Sequence, residues 1–202
     1  MINKFSTKVS DRLLRMGVIN EQDYEIYQYG LEHLFTSILD LLTLFAIGLI
    51  MGMIWQGIIF VLSFMLFRKY AGGYHTHTPL RCYLLTNIVI LGVLSVMKYI
   101  EISIYIYLGL YIVSSIIIFI FSPVEAINKK LDEVEKIIYR KKTIIIWSME
   151  TILALLVLVL RCHEISICIF VANIILCVSL LLGHIENNFV KQKHLQKSND
   201  VN

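Results

Sequence analysis

Charge is scarce in this chain: only 16% of its 202 residues are Asp, Glu, Lys or Arg, against 57% hydrophobic residues. That balance excludes an ordinary soluble domain, in which about a quarter of the residues are charged, and the mean hydropathy of +0.73 points the same way. Cysteines are few as well. The four, Cys82, Cys162, Cys168 and Cys177, have neither metal-ligand nor disulfide-framework spacing, which excludes a stapled secreted scaffold. The first residues carry Lys4, Lys8, Arg12 and Arg15 but no compact apolar core ending in small residues. A cleaved signal peptide is therefore not expected, and the first membrane span should act as its own insertion signal. An internal repeat, on which many transporter folds are built, is also missing.

What is present is a succession of long apolar runs: Leu34 to Phe67, Tyr83 to Met97, Ile102 to Phe121, Thr143 to Leu160 and Ile165 to Leu182. A helix needs roughly 20 apolar residues to cross a hydrocarbon core of about 30 Å. The first run, 34 residues, would reach about 51 Å at 1.5 Å per residue, so it divides into two spans near Gly52 to Gly57, where Gln56 and two glycines permit a turn. The expected fold is an all-α integral membrane protein of six transmembrane helices. With both termini in the cytoplasm, sixteen of the eighteen Lys and Arg residues fall on the inner side, and only Lys98 and Arg161 are left outside. The positive-inside rule favours that orientation. The expected organisation is a single domain: residues 1–30 an amphipathic cytoplasmic region, 31–183 the bundle, 184–202 a cytoplasmic tail.

Two inner segments read as interfacial rather than spanning. Ile2, Phe5, Val9, Leu13 and Met16 follow a helical period beside a basic stripe, the pattern of a helix lying on a membrane surface. Val124, Ile127, Leu131, Val134 and Ile138 repeat at three- or four-residue steps before Arg140-Lys141-Lys142, the pattern of an amphipathic connector ending in a stop-transfer cluster or of a docking surface for a peptide. The second and third spans count as short, roughly 14 to 16 residues, so the segment between them is expected to dip into the interface.

That segment, Arg68-Lys69-Tyr70-Ala71-Gly72-Gly73-Tyr74-His75-Thr76-His77-Thr78-Pro79-Leu80-Arg81-Cys82, is a polar island between apolar runs. Ionisable groups at membrane depth are costly and mark functional sites by default. Thr78 and Pro79 make a helix start, with threonine capping free amides and proline at the first helical position. Cys82 then falls in the first turn, beside Arg81, where the helix dipole and a positive neighbour favour the thiolate and make cysteine nucleophilic. His75 is seven residues upstream, about 10 Å along a continuous helix. A bend at Gly72, Gly73 and Pro79 is needed to bring it back as general base. His77 is a rival for that role. A zinc site from His75, His77 and Cys82 is an alternative that lacks a fourth ligand.

Arg68, Gly72-Gly73, one residue, His75, then six residues and Cys82, following two spans, together with Ser122-Pro123-Val124-Glu125-Ala126-Ile127-Asn128-Lys129 opening the second inner loop, resembles the AgrB family, the accessory gene regulator proteins of Gram-positive quorum sensing. The likeness covers all but the extreme ends. It implies a membrane cysteine endopeptidase that trims the carboxyl-terminal tail of an amphipathic pheromone precursor, an AgrD-like peptide. The motif's histidine and cysteine fall on His75 and Cys82. The implied product is a thiolactone or lactone ring, closed when a cysteine or serine of the peptide attacks a thioester on Cys82. Thr76 stands where many relatives have alanine, and His77 is an extra histidine. Arg68, Gly72, Gly73, His77, Arg81 and Asp40 are expected to support the site or bind substrate. No metal, cofactor or nucleic acid is implied, and a homodimer in the plasma membrane is a reasonable expectation.

Asp40 and Glu150 sit within spans, where a charged carboxylate costs several kcal/mol unless paired, protonated or wet. Either is a candidate to orient His75 or to bridge helices. In the competing reading, a small transporter or peptide exporter, they line the pathway and the island is a gate. A non-catalytic membrane adaptor is a third reading. Asn87 and Asn173 are expected to hydrogen-bond between helices, and Trp55 and Trp147 to anchor span ends.

Overall fold

The computed structural model describes residues 2–74, 78–125 and 131–199. Seven α-helices account for most of them: α1 (Ile2–Arg15), α2 (Tyr24–Met51, preceded by a single 3-10 turn, Glu21–Asp23), α3 (Ile54–Ala71), α4 (Pro79–Tyr99), α5 (Ile104–Phe121), α6 (Glu133–Val159) and α7 (His163–Asn199). Six of these, α2 to α7, contain stretches long and apolar enough to cross a membrane. The six-span, all-helical architecture is thus as the hydropathy implies.

The helices outrun the apolar runs that announce them. α3 has 18 residues and α4 has 21, lengths of about 27 and 32 Å. Of the two, α4 reaches the roughly 20 residues of a full span, whereas α3, with Arg68 and Lys69 in its last turn, stays slightly under it. The charge pattern misleads most at α6. Asp132 and Glu135 form a reciprocal capping box there, with the Asp132 amide donating to the Glu135 carboxylate at 3.2 Å. Two orphan groups of the helix start are thereby satisfied. The helix therefore begins ten residues before the apolar run and carries Arg140-Lys141-Lys142 within it. This corrects the expected separate amphipathic connector: Val124 is buried ahead of the helix, Val134 and Ile138 are exposed on its first turns, and Ile127 lies outside the described residues.

The break between the first two spans falls at Gly52-Met53, at the edge of the expected window. Gly52 adopts φ 68° and ends α2, its amide turned back onto Gly48 and Leu49. The Met53 amide donates to the Gly48 carbonyl at 2.8 Å. A left-handed residue closing a helix is the usual station of glycine. Gln56 takes no part in the turn. It sits in α3 and donates to the Glu164 carboxylate at 2.7 Å.

The chain divides into two compact units, Met1–Ile54 with Thr76–Gly92, and Trp55–His75 with Val93–Asn202. In the first, α1 runs antiparallel to the start of α2. Phe5 meets Phe35 edge-on at 4.9 Å, Gln28 donates to Thr7 at 3.1 Å, and Tyr24 donates to Asp11 at 2.7 Å. α1 forms where the periodicity predicts, yet the face it buries is Ser6 and Ser10, while Phe5 and Met16 stay exposed. Along its apolar stripe Phe5 is exposed, whereas Val9 and Leu13 are half-buried.

In the second unit α7 is central, packed against α5 and α6. Cys168, Ile169, Phe170, Ala172, Asn173, Leu176 and Leu180 are fully buried on it. Where no water competes, hydrogen bonds between helices add to packing: Ser114 to Asn173 at 2.7 Å, Trp147 to Ser115 at 2.9 Å, and Ser166 to the Ala154 carbonyl at 2.8 Å. Asn173 bridges helices as expected. Trp147, in α6, is stacked on Tyr111 and edge-on to Phe119. Trp55 is largely exposed.

Gly52 has open space around its Cα, so strain alone governs substitution there. Gly52→Ala is expected to lower stability by about 1 kcal/mol, and Gly52→Asn by less, because Asn tolerates the left-handed region. Thermal unfolding of the detergent-solubilised variants measures this.

Candidate active site

The end of α3 is fixed first by packing. Phe67 and Ala71, both fully buried, join Ile118, Val124, Leu176, Cys177 and Leu180 in one apolar cluster. The chain then leaves the helix in a conformation only glycine adopts readily, with φ 79° at Gly72 and 130° at Gly73. There it runs beside the start of the second loop. The Val124 amide donates to the Ala71 carbonyl at 2.9 Å, giving a parallel bridge between Gly72 and Val124. A Cβ on Gly72 would fall on the Val124 carbonyl oxygen, and one on Gly73 would lie 2.6 Å from Ser179 Oγ. The two glycines of the motif are therefore required by backbone angle and by space together.

Tyr74, the next residue, is held at both ends of its backbone. Its amide donates to the Ser179 carbonyl at 2.9 Å and to Ser179 Oγ at 3.2 Å. Its carbonyl accepts a short bond from Arg68 Nη2, while Arg68 Nη1 donates to Ser179 Oγ at 3.4 Å. The guanidinium fork spans two acceptors, a geometry that lysine lacks. α7 also approaches at Gly183, where an added Cβ would sit 2.9 Å from both the Gly73 carbonyl carbon and the Tyr74 nitrogen. One turn further, Asn187 donates to the Glu125 carbonyl at 2.8 Å, and Lys136 pairs with Glu125 at 3.1 Å. Arg68, Gly72 and Gly73 are thus brought together with Val124 of the second motif, and with Ser179, Gly183 and Asn187, to which the sequence alone assigned no role. A signal was available: Ser179, Gly183 and Asn187 are spaced four apart, one polar or small stripe on an otherwise apolar helix.

His75, Thr76 and His77 lie outside the described residues, as do 126–130, which include the Asn128-Lys129 part of the second motif. The chain is described again from Thr78, in the other unit. α4 begins at Pro79, as expected, with the Arg81 amide 3.4 Å from Thr78 Oγ1 and the Cys82 amide donating to the Thr78 carbonyl at 3.1 Å. Cys82 is a partly exposed free thiol in that first turn, and Arg81 beside it is exposed. The next turns of α4 are tied to α2: Tyr83 and Thr43 share a hydrogen bond of 2.7 Å, and Asn87 donates to the Asp40 carboxyl at 3.0 Å. Asp40 therefore serves as a helix bridge behind the cysteine, within the same unit. Glu150 is 6% exposed; among the described residues Ser63 and Tyr111 are its polar neighbours.

Six membrane-length helices, a glycine-permitted loop clamped to the last of them, and a thiol at a capped helix start define a multi-pass α-helical membrane protein with a built loop site. The family described as AgrB, Accessory gene regulator B, matches residues 2–181, and the chain belongs to that family, whose role lies in quorum sensing. Two proteins with AgrB-like names, from Clostridium perfringens strain SM101 and strain 13, are 27% and 24% identical over 143 residues, 67% of this chain and 67% of each relative. No solved structure matches the chain.

The close approach at Gly183 makes Gly183→Ala destabilising by about 1–3 kcal/mol, as overpacking generally is. Gly109→Ala, in open space on α5, should instead be neutral or stabilising by about 0.5–1 kcal/mol. Parallel thermal melts of the two variants check the contrast. Asn87→Leu, which leaves Asp40 without its donor, is expected to cost about 1–3 kcal/mol in the same measurement.

Proposed function

We propose that this protein is a membrane cysteine endopeptidase that removes the carboxyl-terminal tail of a pheromone precursor of the AgrD type and leads it to a cyclic product. The family match over residues 2–181 carries the reading. The setting of Cys82, a partly exposed free thiol in the first turn of a helix begun by Pro79, supports it.

In the mechanism, His75 takes the Cys82 proton and the thiolate adds to the peptide carbonyl preceding the tail. The carbon–nitrogen bond breaks, the proton passes from His75 to the departing amine, and the remaining peptide is held as a thioester on Cys82. A cysteine or serine of the peptide then gives its proton to His75 and attacks the thioester carbonyl. The carbon–sulfur bond breaks, the ring closes as a thiolactone or lactone, and Cys82 recovers its proton. Restricting water near the membrane interface favours ring closure over hydrolysis. The lysine and arginine distribution supports a site facing the cytoplasm, in the plasma membrane; the family match along residues 2–181 supports a single domain, and the family resemblance a homodimer.

The test is cleavage of the candidate precursor by the protein reconstituted in liposomes, followed by mass spectrometry. Cys82→Ala and His75→Ala should each reduce the rate by about a thousandfold, whereas His77→Ala should retain cleavage. Cleavage surviving Cys82→Ala would contradict the reading. Loss of function on neutralising Asp40 and Glu150, with Cys82→Ala active, would favour an exporter in which Glu150, a buried carboxyl within a span, lies on the pathway.

A further inference from the structure

We infer that Lys69 of α3 and Lys142 of α6, gathered on the ring of Tyr70, form a seat for the phosphate headgroup of an anionic phospholipid. The inference is independent of the peptidase chemistry, and every residue in it belongs to the second unit.

Two ammonium groups from different helices share one aromatic ring here. Lys69 Nζ lies 5.5 Å from the centroid of Tyr70, and Lys142 Nζ lies 4.9 Å from it. Tyr139 of α6 meets the same ring edge-on at 6.0 Å, which holds it between the two helices. Each ammonium is attracted by the ring, but the two charges are thereby kept within about 10 Å of each other, where they repel. Among the described residues no carboxylate lies in ion-pair contact with either lysine. Both lysines are exposed, so an anion from outside the chain can reach them and relieve the repulsion.

The surroundings of the lysines decide which anion fits. The apolar run of α3 ends at Phe67, two residues before Lys69, and that of α6 begins at Thr143, directly after Lys142. Both charges therefore stand where the hydrocarbon of a bilayer gives way to headgroups. Met65 and Leu66 precede Lys69 by four and three residues, and Ile145 and Met149 follow Lys142 by three and seven. All four are exposed, and residues at these spacings share a helix face. Each lysine thus crowns an exposed apolar stripe that runs into the spanning length of its helix. A phospholipid matches both parts, its phosphate on the paired cations and its acyl chains along the stripes. An acidic peptide matches the lysines alone.

The test is native mass spectrometry of the full chain in detergent, titrated with phosphatidylglycerol and, in parallel, with zwitterionic phosphatidylcholine. The wild-type chain is expected to hold phosphatidylglycerol about tenfold more tightly. Lys69→Gln and Lys142→Gln should each weaken that binding by about fivefold, and Tyr70→Leu, which keeps every charge, by about threefold. Lys141→Gln, which removes an equal charge from the neighbouring exposed residue, should stay within about twofold of wild type. Equal retention of the two lipids, or an equal loss on Lys141→Gln and Lys142→Gln, would reduce the effect to net charge and overturn the inference. Displacement of phosphatidylglycerol by inorganic phosphate would mark an ion site that does not read the lipid, with the same consequence. Binding of an oligoglutamate peptide through the same two lysines in preference to phosphatidylglycerol would assign the surface to an acidic peptide instead.

Discussion

The double hold on Tyr74 is the constraint on which the rest of this site depends. Two glycines at positive φ would leave the loop after α3 with a wide choice of paths. Arg68 on one side and Ser179 on the other reduce that choice to one, and both anchors stand on helices whose own positions are set by apolar packing. Phe67 and Ala71 fix the end of α3 on the cluster that includes Leu176, Cys177 and Leu180 of α7, so fork and acceptor are carried by elements already packed together. The glycines then follow from proximity: Val124 occupies the space a Cβ on Gly72 would take, and Ser179 the space a Cβ on Gly73 would take.

The same loop answers a demand the membrane makes of any irregular backbone near it. Groups outside a helix must find partners within the protein, because hydrocarbon supplies none. Here the Ala71 carbonyl pairs with the Val124 amide, the Tyr74 amide with Ser179, the Tyr74 carbonyl with Arg68, and the Glu125 carbonyl with Asn187. The two loops thus complete each other's hydrogen bonding and share α7 as a common wall. Apolar side chains on the outer faces of the long helices, such as Ile50, Leu62 and Ile120, are exposed in the protein and suited to lipid.

Hydropathy placed the six spans, glycines bounded the first break to a window that includes Gly52, and the Thr78-Pro79 pair marked the start of α4, because length, a turn-forming glycine and a capping pair each leave a local trace. Hydropathy failed where charge masked a helix. The Lys and Arg cluster after Ile138 reads as the end of a loop, but helix formation tolerates charge, and the Asp132–Glu135 capping box starts α6 well before it. The motif residues Arg68, Gly72 and Gly73 were legible from their pattern. Their partners were not, since Ser179 and Gly183 act through contacts more than 100 residues away in sequence, and only their four-residue spacing on an apolar helix hinted at a shared face. Asp40 was legible as an intramembrane carboxylate, but its pairing with Asn87 required the packing of α2 on α4 within their unit.

The central claim is that Cys82 is the nucleophile. The most direct measurement is intact-protein and peptide-level mass spectrometry of the wild-type chain quenched in acid during turnover of its precursor. A hydroxylamine-labile peptidyl adduct mapped to Cys82 is the predicted result. Product formation with Cys82 unmodified throughout, or an adduct on another residue, would contradict it.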